Sequence, residues 1–150
     1  MIDAQGRNQI ATVPGANNRL EESDIDAAIP IIEGAKILGF QLEMRLEIVD
    51  YAIRKGRELG VNTVIITLGA GGSVLADSSV QEHYPAPGVN AVDSTGAGDI
   101  FSGAFLAEYS VGRNLPEAIA FASRAAALST TRLGVIDAIP DRSEVEFLGD

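Results

Sequence analysis

The chain has 150 residues, 46% of them hydrophobic, which is enough to bury a core and fits a single domain. Its 21 acidic and 11 basic residues give a net charge of −10, which argues against nucleic acid and anionic membrane as partners. The absence of cysteine excludes disulfides, thiolate metal sites and a cysteine nucleophile.

The first long apolar pattern predicts a helix. It begins at a cap on Ser23 or Asp24 and ends at Gly34. Pro30 within it is expected to remove a hydrogen bond and kink it. A short strand at residues 9–13 and a loop at residues 14–18 are predicted before this helix.

A strand and a second helix follow. Residues 36–41 form a short apolar run, which indicates a buried parallel strand. Residues 46–59 have helical spacing, and Gly60 is expected to stop the helix. The side chains predicted to face inward are Ile48, Val49, Ala52 and Ile53.

The rest of the chain predicts three strands and then three helices. The strands are predicted at residues 64–67, 73–76 and 82–84, and the helices at residues 98–110, 116–129 and from about Asp141. Asn114 and Pro116 are typical of a helix cap and first turn. Strands that alternate with helices indicate an α/β layered sheet.

The stretch from Val92 to Asp99 combines an extended approach, two glycines and a helix start. Gly96 and Gly98 lack a Cβ, so the backbone can turn tightly and come close to a ligand. The first turn of the following helix has N–H groups without intrahelical partners and a partial positive charge, which together favour a phosphate-like anion. The helix is expected to bury one broad face made of Ile100, Phe101, Ala104, Phe105, Leu106 and Ala107.

Asp99 admits two interpretations. A carboxylate at an anion site suits proton abstraction from a hydroxyl that attacks phosphorus. Alternatively, Asp99 caps the helix and favours its dipole. The stretch alone leaves both open.

The glycine motifs exclude two common nucleotide sites. The chain has no G-x-x-x-x-G-K-[ST], so it is not a P-loop protein. The sixth positions counted from Gly69 and Gly96 are Val74 and Phe101, so neither stretch is the G-x-G-x-x-G of a dinucleotide-binding fold. By itself, the 69–72 stretch is typical of an ordinary turn between strands.

The residues from Asp93 to Asp99, followed by Phe101, Gly103 and Ala104, resemble the second signature of the ribokinase (PfkB) family of carbohydrate kinases. Further stretches resemble that family in the same order along the chain. They are Pro14-Gly15-Ala16-Asn17, Gln41-Leu42-Glu43, the nucleotide turn Thr67-Leu68-Gly69-Ala70-Gly71-Gly72, and residues 125–134 beside the adenine and a monovalent cation.

This resemblance implies a shortened ribokinase-like three-layer α/β/α sandwich in a single truncated domain, residues 1–150. It also implies transfer of the ATP γ-phosphoryl group to a hydroxyl of ribose or a similar sugar. Asp99 would be the general base, and the N–H groups of Gly96, Ala97 and Gly98 would hold the developing charge. Magnesium would come with the ATP.

The resemblance also assigns binding residues. Nucleotide binding falls on Thr67, Leu68, Gly69, Ala70, Gly71, Gly72, Gly98 and Ser123, and sugar binding on Glu43 and Asp99. A potassium-like cation falls on Asp93, Thr95, Ser129, Arg132, Gly134 and Ala138, mostly through backbone oxygens. Asp93 could instead form only a turn, and Glu43 could be merely solvated. His83 is expected to be structural and far from any motif.

The chain lacks counterparts of several family segments. The family's first half, with its early sugar-binding residues and most of its lid, has none. A second gap is expected near residues 55–57, where two amphipathic helices are joined into one. Two other functions therefore remain open. One is a degenerate module that binds nucleotide without turnover, and the other is a fragment that acts only in an oligomer or beside a chain that supplies the missing half.

The expected partners are a nucleotide and a small sugar, with no nucleic acid and no membrane. A homodimer is expected, because a shortened sheet leaves a strand edge unpaired. No apolar signal segment or membrane-length run is found, so a cytoplasmic location is expected.

Overall fold

The computed structural model describes residues 14–148, which form two compact units, residues 14–83 and 84–148. The strand predicted at residues 9–13 lies outside the described residues. Within them, no helix is both long enough and apolar enough to cross a membrane.

The first unit contains a mixed four-stranded sheet with the strand order β1-β2-β3-β4. Strands β1 and β2 are parallel, with Ile37 opposite Thr63, whereas β2 and β3 are antiparallel, with Thr67 opposite Ser73. The elements are α1 Glu22–Ala27, α2 Ile29–Ile32, β1 Ile37–Gln41, α3 Leu46–Glu58, β2 Thr63–Thr67, β3 Ser73–Ala76 and β4 Gln81–Tyr84. Strands were thus predicted at the right places.

The helix predicted up to Gly34 is in fact two short helices, which is a correction. Helix α1 ends at Ala27 and α2 begins at Ile29, with Pro30 in its first turn. Proline has no N–H and fits a helix start better than a helix interior, so the chain breaks instead of kinking. The N-cap is Glu21, not Ser23 or Asp24; Asp24 completes a capping box by accepting from the Glu21 N–H at 2.9 Å.

Helix α3 is a single continuous helix that packs on β1. Ile48, Val49 and Ala52 are buried, as predicted, while Ile53 is half-buried. Gly56 faces β1 so closely that a Cβ there would lie 2.4 Å from the Leu38 Cδ1 atom. The helix is followed by Gly60 with φ +87°, as expected for a helix stop.

Strand β1 is less buried than its apolar sequence predicted. Four of its five residues are half-buried and Gly39 is exposed. Strand β1 ends the sheet, since no other strand of the described residues pairs with its outer edge. The sequence of β1 predicted a buried strand, but its outer edge is unpaired among the described residues.

The second unit is helical. Its elements are α4 Ala97–Ser110, α5 Leu115–Ser129 and α6 Arg142–Phe147. Helices α4 and α5 pack together, and the buried side chains include Phe101, Phe105, Ile119, Phe121, Ala122, Ala125 and Val145. The Asn114 side chain caps α5 by accepting from the Glu117 N–H at 2.9 Å, as predicted.

The buried face of α4 is narrower than its apolar residues predicted. Phe101 and Phe105 are buried, but Leu106 is 62% exposed and Ala107 is exposed as well. The place of an apolar residue on the buried side is taken by Glu108, which is fully buried.

Glu108 is a buried acid that no sequence pattern predicted to lie in a core. Its carboxylate binds the guanidinium of Arg142, and its Oε2 atom lies 2.5 Å from the Nε of Arg113. The Arg142 guanidinium also lies over the Phe121 ring, 5.0 Å from its centroid. These contacts join α4, α5 and α6, and a buried charge needs such partners.

Candidate active site

The turn before α4 depends on Gly96. This residue is the N-cap of α4 and has φ +78°, a left-handed conformation that favours glycine. A Cβ at this position would lie 2.7 Å from the Val135 Cγ1 atom. Gly96 therefore permits both the conformation and the close approach of the 129–138 loop to the start of α4.

Asp99 lies in the first turn of α4 and is exposed. Its side chain makes no hydrogen bond or ion pair with any of the described residues. Asp99 is not the N-cap of the helix, and its side chain forms no capping hydrogen bond. The charge of Asp99 still suits the helix dipole. The carboxylate is therefore accessible and has no partner within residues 14–148.

The N–H groups predicted to hold an anion are not equivalent. The Ala97 N–H donates to the Ser94 carbonyl at 3.3 Å, and the Gly96 carbonyl accepts from Ile100 at 2.9 Å. Ala97 is therefore the weakest of the three predicted donors, because its N–H already closes the turn.

Asp93 holds this turn together from a buried position. Its Oδ1 atom accepts from the Thr95 hydroxyl at 2.7 Å and the Thr95 N–H at 3.0 Å, and its Oδ2 atom accepts from the Gly134 N–H at 3.1 Å. These bonds, the Thr95 hydroxyl first, lower the pKa of Asp93 below its usual value. The turn-forming role of Asp93 is present in the structure.

The 129–138 loop lies against the Asp93 turn. The N–H groups of Val92 and Asp93 both donate to the Thr130 carbonyl, at 2.6 and 2.9 Å. Ser129 and Ala138 are buried, and Arg132 binds Glu144 of α6 with its side chain. The residues predicted to hold a cation, namely Asp93, Thr95, Ser129, Arg132, Gly134 and Ala138, thus belong to this turn and the loop that packs on it.

The glycine turn at residues 67–72 belongs to the first unit and connects β2 to β3. The Leu68 N–H donates to the Gly72 carbonyl at 2.8 Å, and the Gly72 N–H donates to the Gly69 carbonyl at 3.0 Å. Gly69 and Gly72 have φ of +58° and +89°, so side chains there would be strained. The turn is compact and is built from its own backbone bonds.

His83 lies beside this turn, contrary to the expectation that it is far from any motif. Its Nε2 atom is 2.6 Å from the carbonyl oxygen of Gly71. The strand prediction was correct, since His83 is on β4. Sequence reasoning missed the contact because β4 returns alongside β3 and so passes the start of that strand.

Two other predicted residues lie outside these turns. Glu43 is exposed after β1, and its N–H donates to the Gln41 carbonyl at 2.8 Å. Ser123 lies on α5, and its Oγ atom is buried without a hydrogen-bond partner among the described residues.

Comparison with known proteins identifies the family. Residues 23–142 match the pfkB family of carbohydrate kinases. The chain is 40% identical to a ribokinase of Staphylococcus aureus over 88 residues, which is 58% of this chain and 29% of that relative. Its structure is similar to that of aminoimidazole riboside kinase from Salmonella enterica, in complex with aminoimidazole riboside and an ATP analogue. The TM-score is 0.72 and the identity 30%, and the match covers 86% of this chain and 47% of the other.

The chain therefore belongs to the pfkB family of carbohydrate kinases, and the expected ribokinase-like α/β fold is confirmed in partial form. A deoxyribokinase of Salmonella typhi is 27% identical over 196 aligned positions, covering 93% of this chain and 64% of that relative. That alignment is longer than this 150-residue chain, so the relative has an intervening segment without a counterpart here. The predicted internal gap is consistent with this.

Proposed function

We propose that this protein is an ATP-dependent sugar kinase. It would transfer the γ-phosphoryl group of ATP to a hydroxyl of ribose or a similar sugar, releasing ADP. As the sugar oxygen bonds to phosphorus, the bond from phosphorus to the β-phosphate oxygen breaks, and Asp99 accepts the hydroxyl proton. The similarity to a kinase that binds a riboside and an ATP analogue supports this assignment.

The observation that carries the proposal is the carboxylate of Asp99, which has no partner in the part of the chain that the structure describes. It is exposed in the first turn of a 14-residue helix, just after the left-handed Gly96. The positive end of the helix would stabilise charge on the transferred phosphoryl group, chiefly through the N–H groups of Gly96 and Gly98.

Nucleotide binding would fall on the glycine turn and on Ser123. Backbone groups of the turn, Thr67 to Gly72, would contact the nucleotide, and the buried Ser123 hydroxyl is without a partner among the described residues. Magnesium bound with the ATP would neutralise phosphate charge, which matters for a chain with a net charge of −10. Glu43 and Asp99 would contact the sugar.

A monovalent cation such as potassium would be held at the Asp93 turn. Asp93 supplies one buried carboxylate, and the described residues contain no cluster of three or more histidine or acidic residues that could hold a metal ion. The remaining donors would be backbone oxygens of the turn and loop, at Thr95, Ser129, Arg132, Gly134 and Ala138. One carboxylate with carbonyl oxygens fits a weakly charged ion such as potassium better than a transition metal.

Titration calorimetry followed by an ADP-release assay tests the proposal. Magnesium–ATP and ribose are titrated separately, and ADP release is then measured with ribose and with aminoimidazole riboside. We expect nucleotide binding, sugar-dependent ADP release and a higher affinity or rate with potassium than without monovalent ions. No ATP-dependent thermal shift at millimolar nucleotide would rule out the binding claim and leave a structural role.

A second candidate function is a nucleotide-binding or oligomeric module without turnover. It is supported by the short span, since the chain covers 29% of the Staphylococcus aureus ribokinase. Nucleotide binding without sugar-dependent ADP release would favour it. Recovery of ADP release on adding a chain that supplies the family's first half would instead indicate a complemented kinase.

A further inference from the structure

His83 makes a contact that the proposed kinase chemistry does not use. Its Nε2 atom is 2.6 Å from the Gly71 carbonyl oxygen, in the middle of the glycine turn. A carbonyl oxygen only accepts, so Nε2 must carry the proton and donate. His83 is the only histidine of the chain.

The carbonyl that accepts from His83 belongs to the Gly71–Gly72 peptide group, whose N–H is also hydrogen-bonded. The Gly71 C=O accepts from His83, and the N–H of the same peptide, on Gly72, donates to the Gly69 carbonyl at 3.0 Å. In a trans peptide the C=O and N–H point in opposite directions. Two bonds on opposite edges therefore fix the plane of the Gly71–Gly72 peptide.

That plane needs fixing because glycine flanks it on both sides. Rotation of a peptide plane requires changes in the backbone angles of both neighbours, and glycine tolerates both signs of φ. Gly71 and Gly72 have no side chains to restrain the rotation, and the other bonds of these two residues, from the Gly71 N–H to the Leu68 carbonyl at 3.1 Å and from the Leu68 N–H to the Gly72 carbonyl at 2.8 Å, lie on the neighbouring peptides. The single bond to Gly69 would leave the C=O edge to solvent.

The donor comes from a firmly held strand. The turn between β3 and β4 is closed by Asp77, which accepts from the N–H groups of Ser79 and Val80 at 2.7 and 2.8 Å. The Asp77 N–H donates back to the Val80 carbonyl at 2.9 Å. This turn sets where β4 begins and so where the His83 ring is placed.

We propose that His83 is a positioning residue for nucleotide binding, because it locks the Gly71–Gly72 peptide plane in the orientation the nucleotide requires. The proposal rests on the kinase function in assigning the turn to nucleotide. Loss of the histidine donor would let the peptide rotate, and the nucleotide would then have to select one orientation from several.

The test compares His83→Phe, which keeps a ring but has no donor, with His83→Gln, whose amide can donate from a similar distance. Gln81→Phe is the matched control, since residues two apart lie on the same face of a strand. The readouts are the amide signals of Gly71 and Gly72, the ¹⁵N signals of the single imidazole, and the affinity for magnesium–ATP.

We expect the His83 ring to be protonated at Nε2, and His83→Phe to shift and broaden the Gly72 amide signal. Its affinity for magnesium–ATP should fall about threefold to tenfold, the scale of one lost hydrogen bond. His83→Gln should restore most of the loss, and Gln81→Phe should change little.

A ring protonated only at Nδ1, or glycine amides and affinity in His83→Phe equal to those of Gln81→Phe, would overturn the proposal. If no variant binds ATP, the nucleotide assignment fails, while the amide and imidazole signals still decide whether His83 fixes the peptide. If His83→Phe does not fold, the comparison of His83→Gln with the unaltered protein and the imidazole signals decide.

Discussion

Two aspartates six positions apart have opposite environments. Asp93 is 7% exposed, and both of its carboxylate oxygens accept hydrogen bonds from the turn and the adjoining loop. Asp99 is exposed and has no partner among the described residues. Three accepted hydrogen bonds fix the Asp93 carboxylate in place, which suits a structural or cation-binding role, whereas a carboxylate without such bonds can take up a proton.

At Asp99, the substitution Asp99→Asn should lower sugar-dependent ADP release by about 100-fold or more, the scale of a lost general base. Affinity for magnesium–ATP should change little, since the carboxylate would face the acceptor hydroxyl. Steady-state kinetics and calorimetry measure the two effects. Asp137→Asn, at an exposed loop aspartate of the same unit, is the control. Undiminished turnover in Asp99→Asn would remove this residue from the mechanism.

At Gly96, alanine should be destabilising for two reasons. The residue has φ +78°, and its Cβ would lie 2.7 Å from Val135. We expect the free energy of unfolding to fall by at least about 1 kcal/mol, from the left-handed conformation alone. Denaturant unfolding measures this.

Gly103→Ala is the matched control for Gly96→Ala. Gly103 lies within α4, and a Cβ there would meet nothing within 4 Å. Alanine should stabilise the helix by about 0.5–1 kcal/mol. Equal effects of the two substitutions would contradict the assigned geometry of the turn.

Among the elements, the short helix α6 shows how polar contacts replace apolar ones. It has six residues, too few to be stable alone. Arg142 binds the buried Glu108, Arg132 binds Glu144, and the Arg124 Nε donates to the Val145 carbonyl at 3.0 Å. These contacts, together with the buried Val145 side chain, attach the helix to α4, α5 and the loop that adjoins Asp93.

The β3–β4 turn should weaken in acid. The Ser79 N–H, the Val80 N–H and the Ser79 hydroxyl donate to Asp77 and hold its pKa below the ordinary value. A carboxyl with a lowered folded-state pKa contributes stability that is present above the unfolded value, near pH 4, and is lost as the pH falls through the folded value. Carboxyl ¹³C titration should show the lowered pKa of Asp77, together with loss of protection at the Ser79 amide.

Asp77→Asn is the control for this titration, since the amide oxygen still accepts but does not ionise. In this variant, the Ser79 amide should keep its protection from hydrogen exchange between pH 6 and pH 3, because residue 77 no longer titrates. An Asp77 pKa at or above the ordinary value in the folded protein would contradict the prediction.

Sequence patterns predicted the elements well where one local signal decides them. The cap at Asn114, the helix start near Asp141 and the stop at Gly60 were predicted from the chain and are present in the structure. The break between α1 and α2 was missed because Pro30 suits either a kink or a new helix start.

Tertiary contacts account for the site features that the sequence did not predict. The burial of Glu108 could be predicted only if it were known that Arg113 and Arg142 both contact its carboxylate. The contact of His83 with Gly71 could be predicted only if it were known that β4 returns alongside β3. The spacing of residues along the chain indicates neither of these contacts. By contrast, the turn at Asp93 and Gly96 was visible from residue types alone, because few residues other than aspartate and glycine permit it.

For the whole molecule, we propose a closed homodimer. Strand β1 has an outer edge that no other strand of the described residues pairs with, and its five residues carry no charge that would discourage pairing. A net charge of −10 should limit open-ended association. Light scattering coupled to size exclusion at micromolar concentration should give twice the 15.7 kDa chain mass.

The substitution Gly39→Lys tests whether the dimer forms through this edge. Gly39 is the exposed centre of β1, and a Cβ there meets nothing within 4 Å. A charge at this position should favour the monomer. Gly103→Lys, at an exposed helical position, is the control and should leave the mass unchanged. A cooperatively melting monomer in the unaltered protein would contradict the edge argument.

The mixed sheet also determines the order in which its strands can assemble. Strands β2 and β3 are antiparallel and are joined by a tight turn, so their pairing closes a short loop. The parallel pairing of β1 with β2 closes a much longer loop, because the connection between them contains the whole of α3. Closing a longer loop costs more entropy, so we expect β1 to be the last strand to join. During synthesis and refolding, an apolar strand would therefore remain unpaired on both edges for longest.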